Sequence, residues 1–191
     1  SHDKIFCETG KLRGTRSGEK NKMIENFDDF SNTLFNEAKF LLEKAKLSLP
    51  PDIKSAYLHS SLLLGMSALE AYVNGIALEL TEGSFELTLN EIALISEKEI
   101  IFDNGNFQLG KKLKMQRLID RIDFIYCKFS NKSISSQDTW NQNIKQTIKS
   151  RNDLVHPKDE VNITYNQVET SLQNILQTID ILYKAVYKTH V

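Results

Sequence analysis

One long apolar run limits how this chain can fold. From residue 62 to residue 73 nearly every position is apolar, so a helix formed there is hydrophobic on all sides. Such a helix must be buried. Glu70, Asn74 and Glu79 interrupt the run and its continuation, whereas a membrane-spanning helix needs about 20 apolar residues without a central carboxylate. The run therefore predicts the central helix of a helical bundle with no membrane segment.

The other helices are predicted from apolar residues that recur every three or four positions. Pro50 and Pro51 separate the first helix from the central one. Thr164 and Gln167 form a capping box for the last helix, and Ser135 with Asp138 offers one for the helix before it. The predicted helices cover residues 26 to 50, 52 to 80, 110 to 128, 135 to 156 and 164 to 186.

Residues 81 to 108 interrupt the helical pattern. Thr88 and Glu91 form a capping box for a short helix. Two short apolar segments then flank the turn sequence at residues 103 to 106, which is typical of a β-hairpin. The inserted hairpin either covers a site or builds an interface, and the sequence leaves both open. The predicted fold is all-α, an antiparallel bundle of four to five long helices with a small helix and β-hairpin insertion.

The N-terminal residues differ in composition from the rest. Residues 1 to 22 contain three glycines among basic residues and almost no apolar periodicity. They are predicted to form a flexible basic arm before a single domain at residues 23 to 191. The arm either follows RNA or is a solvated tail. Over the whole chain 24 basic residues balance 25 acidic ones, so any RNA contact must come from a local patch.

Cysteine usage indicates a reducing compartment. Cys7 and Cys127 lie far apart, with no partners at metal-ligand spacing. Free thiols in the cytoplasm are therefore expected. No group of histidine, cysteine and carboxylate residues has the spacing of a metal site, and there is no glycine-rich phosphate loop. We expect chemistry that needs neither a metal nor a cofactor.

The chemistry-bearing stretch runs from Arg151 to Pro157. Pro157 disfavours the helical conformation for His156, so the preceding helix should end at about this histidine. In a continuous helix Arg151 and His156 would point about 140° apart, and leaving the helix lets them converge. Arginine grips phosphate oxygens, and histidine titrates near neutral pH. The alternative is a helix end where both side chains satisfy terminal carbonyls.

We interpret a polar stripe on the central helix as facing the stretch from Arg151 to Pro157. Ser67, Glu70 and Asn74 are spaced by three and four residues and share one face. A buried carboxylate needs a partner, and Arg151 is the candidate for Glu70. Glu70 either simply holds Arg151 in place or fixes its guanidinium towards a phosphate.

Two further groups of basic residues are candidates for RNA contact. One lies beside the motif, and the other on the outer face of the helix predicted at 110 to 128, where a solvated surface is the alternative. The two groups are Lys145, Lys149 and Lys158, and Lys111, Lys112, Lys114, Arg117 and Arg121.

Arg151, the polar Asn152 after it and His156 together resemble the Arg-x(4-6)-His signature of HEPN domains, many of which are RNA-cutting toxins and defence effectors. The resemblance covers roughly residues 26 to 188. It implies a metal-independent endoribonuclease whose chains pair across a two-fold axis, with both motifs in one cleft. The alternative is a non-catalytic HEPN-like module that binds a nucleotide or protein, or dimerises.

On this resemblance each site residue receives a role. Arg151 binds phosphate and His156 transfers protons, while Asn152 orients the phosphate or the histidine and Glu70 orients Arg151. Asn74 joins Lys145, Lys149 and Lys158 in RNA binding. The expected partners are RNA, with tRNA among the candidates, a second copy of the chain, and an antitoxin or a defence-system protein.

Overall fold

The computed structural model describes residues 13 to 47, 50 to 132 and 139 to 187, with side chains at Phe27 and from Asp29 onward. These residues form a mostly helical protein with one two-stranded antiparallel sheet, as the sequence predicted. The elements are α1 (Arg13–Lys44), α2 (Pro51–Glu82), α3 (Leu89–Ser96), β1 (Lys98–Asp103), β2 (Asn106–Leu113), α4 (Leu118–Ser130), α5 (Thr139–Val155) and α6 (Tyr165–Tyr187).

Helix α2 is the centre of the fold, and it packs against α1, α3, α4, α5 and α6. Leu62, Leu69 and Val73 have no exposed surface. The helix is long and apolar enough to cross a membrane by composition, but 67% of its most apolar window is buried inside the protein. The prediction that the apolar run forms a buried core helix is therefore confirmed.

The remaining long helices close around α2 through a few tight contacts. A Cβ atom added to Gly65 of α2 would lie 2.4 Å from Leu172 Cδ2, so the missing side chain lets α6 approach closely. Ser61 donates a buried hydrogen bond to the Ala38 carbonyl at 2.7 Å, which ties α2 to α1. The capping box at Thr164 is present, because its backbone N–H donates to Gln167 Oε1 at 2.8 Å.

The insertion contains the predicted short helix and hairpin. Thr88 and Glu91 complete the capping box of α3. The hairpin turns at Asn104 and Gly105, whose φ angles are 49° and 83°. Positive φ at both central residues matches the twist of the flanking strands, and Asn-Gly adopts it readily. Local turn chemistry therefore determined this hairpin.

The predicted helix start at Gly110 is wrong, and with it the end of the insertion at residue 108. Strand β2 continues to Leu113, which pairs with Lys98, and the Lys114 N–H donates to the Glu97 carbonyl at 2.7 Å. Helix α4 begins only at Leu118. Pairing with β1 satisfies the backbone of these residues and overrides their helical periodicity. The basic residues 111 to 121 consequently do not share one helix face.

The N-terminal helix is longer than predicted. Helix α1 begins at Arg13, so residues 13 to 22 of the predicted arm are helical, while residues 1 to 12 lie outside the described residues. Once a helix has nucleated, extending it by a turn costs little, which explains how it continues through Gly14 and Gly18. The predicted capping box at Ser135 also lies outside the described residues.

Candidate active site

The chemistry-bearing stretch lies at the C-terminal end of α5. The helix ends at Val155, and the backbone N–H of His156 donates to the Asn152 carbonyl at 2.9 Å as its last helical bond. Pro157 follows and has no N–H with which to continue the helix. The predicted helix end is therefore confirmed. The His156 side chain is exposed at this end.

Arg151 is held by α2, as the sequence predicted. Its Nη2 donates to Glu70 Oε1 at 3.1 Å, and its Nη1 donates to Asn152 Oδ1 at 3.1 Å. The expectation that Glu70 is buried is wrong, because the Glu70 and Arg151 side chains are 38% and 31% exposed. Water screens an ion pair this exposed, so the pair adds at most about 1 kcal/mol of stability. Its main effect is to orient the guanidinium.

Arg151 and Asn152 line a cleft of about 310 Å³. The cleft takes Glu70 and Asn74, one turn apart, from α2 and Ile148 from α5. Residues 115 to 119, from the link between β2 and α4 and the start of α4, complete it. The cleft is lined by Met66, Glu70, Asn74, Glu97, Met115, Gln116, Arg117, Leu118, Ile119, Arg121, Ile148, Arg151 and Asn152.

Arg121 also lines this cleft and is 4% exposed. Its Nη2 donates to Asn74 Oδ1 at 2.7 Å, and its Nη1 donates to Glu97 Oε2 at 3.3 Å. Burial lowers the pKa of Arg121, and the negative charges of Glu97 and Glu70 oppose that shift. Its buried Nε has no partner among the described residues. Asn74 therefore accepts a hydrogen bond from a buried arginine.

The sequence pattern did not identify Arg121 as a site residue and placed it on an outer basic surface. A signal was present, because Arg121 lies three residues after Leu118 and four before Ile125, on the apolar face of α4. A cation on such a face needs a buried partner. Glu97, which follows α3 directly, was also missed, since no local pattern connects it to α4.

Glu70 links the two arginines of the cleft. It accepts a hydrogen bond from Arg151 and contributes to the electrostatic environment of Arg121. Two residues of α2, four positions apart, thus hold one guanidinium from α4 and one from α5. One guanidinium is buried and the other partly exposed, with 5% and 31% of their side-chain surfaces accessible, and each is paired with a carboxylate. Because Arg151 is the more exposed, an anionic group entering from solvent meets it first.

The structure leaves the other predicted site residues outside the wall of this cleft. His156 is exposed, and its imidazole makes no hydrogen bond with the described residues. Lys145 and Lys158 are exposed as well. Lys149 forms an exposed ion pair with Asp153 at 2.7 Å. Within one chain the cleft therefore brings together Glu70, Asn74, Arg151 and Asn152 but not the histidine or the lysines.

Comparisons with known proteins give no assignment. No protein-family model, no curated protein and no solved structure matches this chain. Function must therefore be inferred from the residues of the cleft and from the helix end beside it.

Proposed function

We propose that this protein is a metal-independent endoribonuclease of the HEPN type, acting in the cytoplasm as a toxin or antiviral defence effector. The observation that carries the proposal is the position of Arg151. Its guanidinium is tied to Glu70 in the cleft, four residues before α5 ends at Val155 and leaves His156 exposed. A fixed cation together with an accessible imidazole, which can accept and donate protons, suits phosphodiester chemistry.

RNA supplies its own nucleophile in this proposal. Cleavage needs an acceptor for the 2′-hydroxyl proton, a donor for the departing 5′ oxygen, and positive charge on the phosphate. His156 transfers protons and Arg151 neutralises the phosphate. Asn152 orients the phosphate or the histidine, and its Oδ1 also accepts a hydrogen bond from Arg151. The products are a 2′,3′-cyclic phosphate and a 5′-hydroxyl end.

A second copy of the chain completes the site. One imidazole performs only one of the two proton transfers, and His156 does not line the cleft of its own chain. Because His156 and Val155 are exposed at the end of α5, this end is accessible to a partner chain. A two-fold axis beside it brings two copies of Arg151 and His156 together. The lysines Lys145, Lys149 and Lys158 then border a shared RNA path.

The test is incubation of the purified protein with tRNA and with total RNA in the presence of a chelator. We expect cleavage that leaves cyclic phosphate ends, and its loss in Arg151→Ala and His156→Ala. His59→Ala is the matched control, since His59 is half-buried on α2 and bonded to Ser55. Cleavage that requires added magnesium, or that survives in both motif variants, contradicts the proposal.

One observation favours a second candidate, a non-catalytic HEPN-like module that binds a nucleotide or a protein. Both arginines of the cleft already have carboxylate partners, Arg151 with Glu70 and Arg121 with Glu97. A site whose charges are compensated binds anions less strongly.

Expression in cells separates the two candidates. Growth arrest that His156→Ala abolishes supports the nuclease, and an unchanged cellular effect of that variant supports the module. An antitoxin or defence-system protein is the expected partner in either case.

A further inference from the structure

The hairpin of β1 and β2 carries an aromatic pair that the described part of the chain does not cover. Phe102 and Phe107 are 66% and 70% exposed. Their ring centroids lie 5.1 Å apart with an angle of 59° between the ring planes. Full burial of a phenylalanine side chain contributes roughly 1.5–3 kcal/mol of stability. Because both rings are mostly exposed, neither contributes more than a small part of this free energy. Neighbouring exposed aromatic rings on an ordered hairpin indicate a binding surface.

The two rings stand on one face of the hairpin, away from its negative charge. Phe102 pairs with Phe107, and the next pair, Asp103 with Asn106, lies on the opposite face. The Asp103 carboxylate accepts hydrogen bonds from Asn104 Nδ2 at 3.2 Å and from Gln108 Nε2 at 3.0 Å. These bonds hold the carboxylate on its own side, so the aromatic face is free of anionic groups at the tip.

Basic residues follow the aromatic pair along β2. Lys111 and Lys112 on the strand and Lys114 just after it are exposed, and none forms an ion pair with a described residue. The whole chain has a net charge of −1, so these lysines are a local concentration of positive charge. Lys111 and Lys112 are adjacent on the strand, so by the same alternation they project to opposite sides of β2, and by strand rise Lys111 lies about 13 Å from Phe107. A short polynucleotide segment can bridge that distance.

We propose that this hairpin binds single-stranded RNA, with bases stacked on Phe102 and Phe107 and phosphates along the lysines. Exposed aromatic rings beside a basic track are the combination that single-stranded nucleic acids require. An apolar protein partner would explain the rings but not the three lysines. A duplex would explain the lysines but would hide the faces of its bases from the rings. The proposal rests on the function proposed above, for which it supplies the part of the substrate that is recognised.

The chain itself connects this surface to the cleft. Strand β2 leads through Lys114 to Met115, Gln116 and Arg117, which line the cleft of Arg151. Met115 is 73% exposed at this junction. An RNA strand held on the hairpin therefore has a continuous surface to follow towards Arg151. On this path the hairpin binds RNA beside the site of cleavage and does not cover that site.

The test measures binding apart from cleavage. The probe is a fluorescein-labelled single-stranded RNA whose 2′-hydroxyls are methylated, so it cannot be cut. We expect Phe102→Ala/Phe107→Ala to weaken binding at least about tenfold in an anisotropy titration, since a base stacked on an aromatic ring contributes about 1–3 kcal/mol. Phe30→Ala/Phe40→Ala removes two similarly exposed rings of α1 and should leave the affinity unchanged. Equal affinity of the hairpin variant and wild type overturns the proposal.

The lysines are tested through the salt dependence of binding. Lys111→Gln/Lys112→Gln should reduce the slope of log affinity against log salt by about 0.7 for each phosphate that the variant no longer neutralises. Lys39→Gln/Lys54→Gln, which removes two exposed lysines elsewhere, should keep the wild-type slope. A slope that is unchanged in the hairpin variant overturns the assigned phosphate track.

The outcomes separate this inference from the proposed nuclease. If wild type cuts RNA while the hairpin variants bind and cut normally, the inference fails and the nuclease stands. If the methylated probe binds through the hairpin but natural RNA is never cut, the nuclease fails and RNA binding by the hairpin stands. Binding to anionic vesicles instead of RNA, or a dimer that dissociates in the phenylalanine variant without an effect on RNA, assigns the surface to a membrane or to a second copy and overturns the inference.

Discussion

At the scale of single residues, Glu70 matters for orientation more than for stability. Its contact with Arg151 is partly exposed, so Glu70→Gln should lower the free energy of unfolding by less than about 1 kcal/mol. RNA cleavage should fall about tenfold or more, because the guanidinium is no longer held at the cleft. Urea unfolding and single-turnover cleavage measure the two effects. Glu37→Gln, an exposed change on α1, is the control. Full activity of Glu70→Gln would show that the pairing has no role in positioning.

A comparison of Arg121 with Arg117 shows how burial changes the contribution of an arginine to stability. Arg121→Ala leaves Glu97 and Asn74 without their partner in a nearly closed environment, and should cost about 3 kcal/mol of stability. Arg117 bonds Asp120 through two nitrogens at 2.8 and 2.7 Å but is exposed, so Arg117→Ala should cause no measurable loss. Chemical unfolding of both variants measures the two losses of unfolding free energy. Equal losses would mean that Arg121 is as well solvated as Arg117.

At the scale of elements, the contact between α2 and α6 depends on a missing side chain. Gly65→Ala improves helix propensity but places a Cβ 2.4 Å from Leu172 Cδ2 and 3.2 Å from Ile175 Cδ1. Because both neighbours are buried, we expect a net loss of about 1–2 kcal/mol. Thermal unfolding provides the measurement.

The companion variant is Leu172→Ala, which removes the side chain that Gly65→Ala would meet. In the double variant the two losses should not add, because the new methyl group fills part of the space that Leu172 leaves. Strict additivity would mean that α2 and α6 do not meet at Gly65.

At the scale of the whole molecule, the proposed nuclease requires two chains. Co-refolding wild-type chains with an excess of His156→Ala should lower cleavage below the fraction of wild-type chains, since a mixed dimer holds only one of the two imidazoles that the shared site needs. Cleavage assays on co-refolded mixtures measure this, with wild type mixed with His59→Ala as the comparison. Activity that stays proportional to the amount of wild-type chain, in a mixture shown to contain mixed dimers, would contradict a shared site.

Local chemistry determined much of this protein from its sequence. The apolar run on α2, the end of α5 before Pro157, and the Asn104-Gly105 turn all follow from interactions between residues close in the chain. Even the pairing of Glu70 with Arg151, 81 residues apart, was predicted, because a carboxylate on an apolar helix demands a partner and one arginine lay in the motif.

Only the tertiary structure decided the rest. Arg121 finds Asn74 and Glu97 across 47 and 24 residues, and this choice depends on which helix faces meet in the packed core. Strand β2 reaches Leu113 although its sequence has helical periodicity, because its backbone gains hydrogen bonds from β1 that periodicity cannot reveal. In the folded chain Arg121 is buried, whereas the lysines of β2, Lys111 and Lys112, are exposed to solvent. Local patterns identify elements, but the free energy of packing selects which of their side chains are buried and which are exposed.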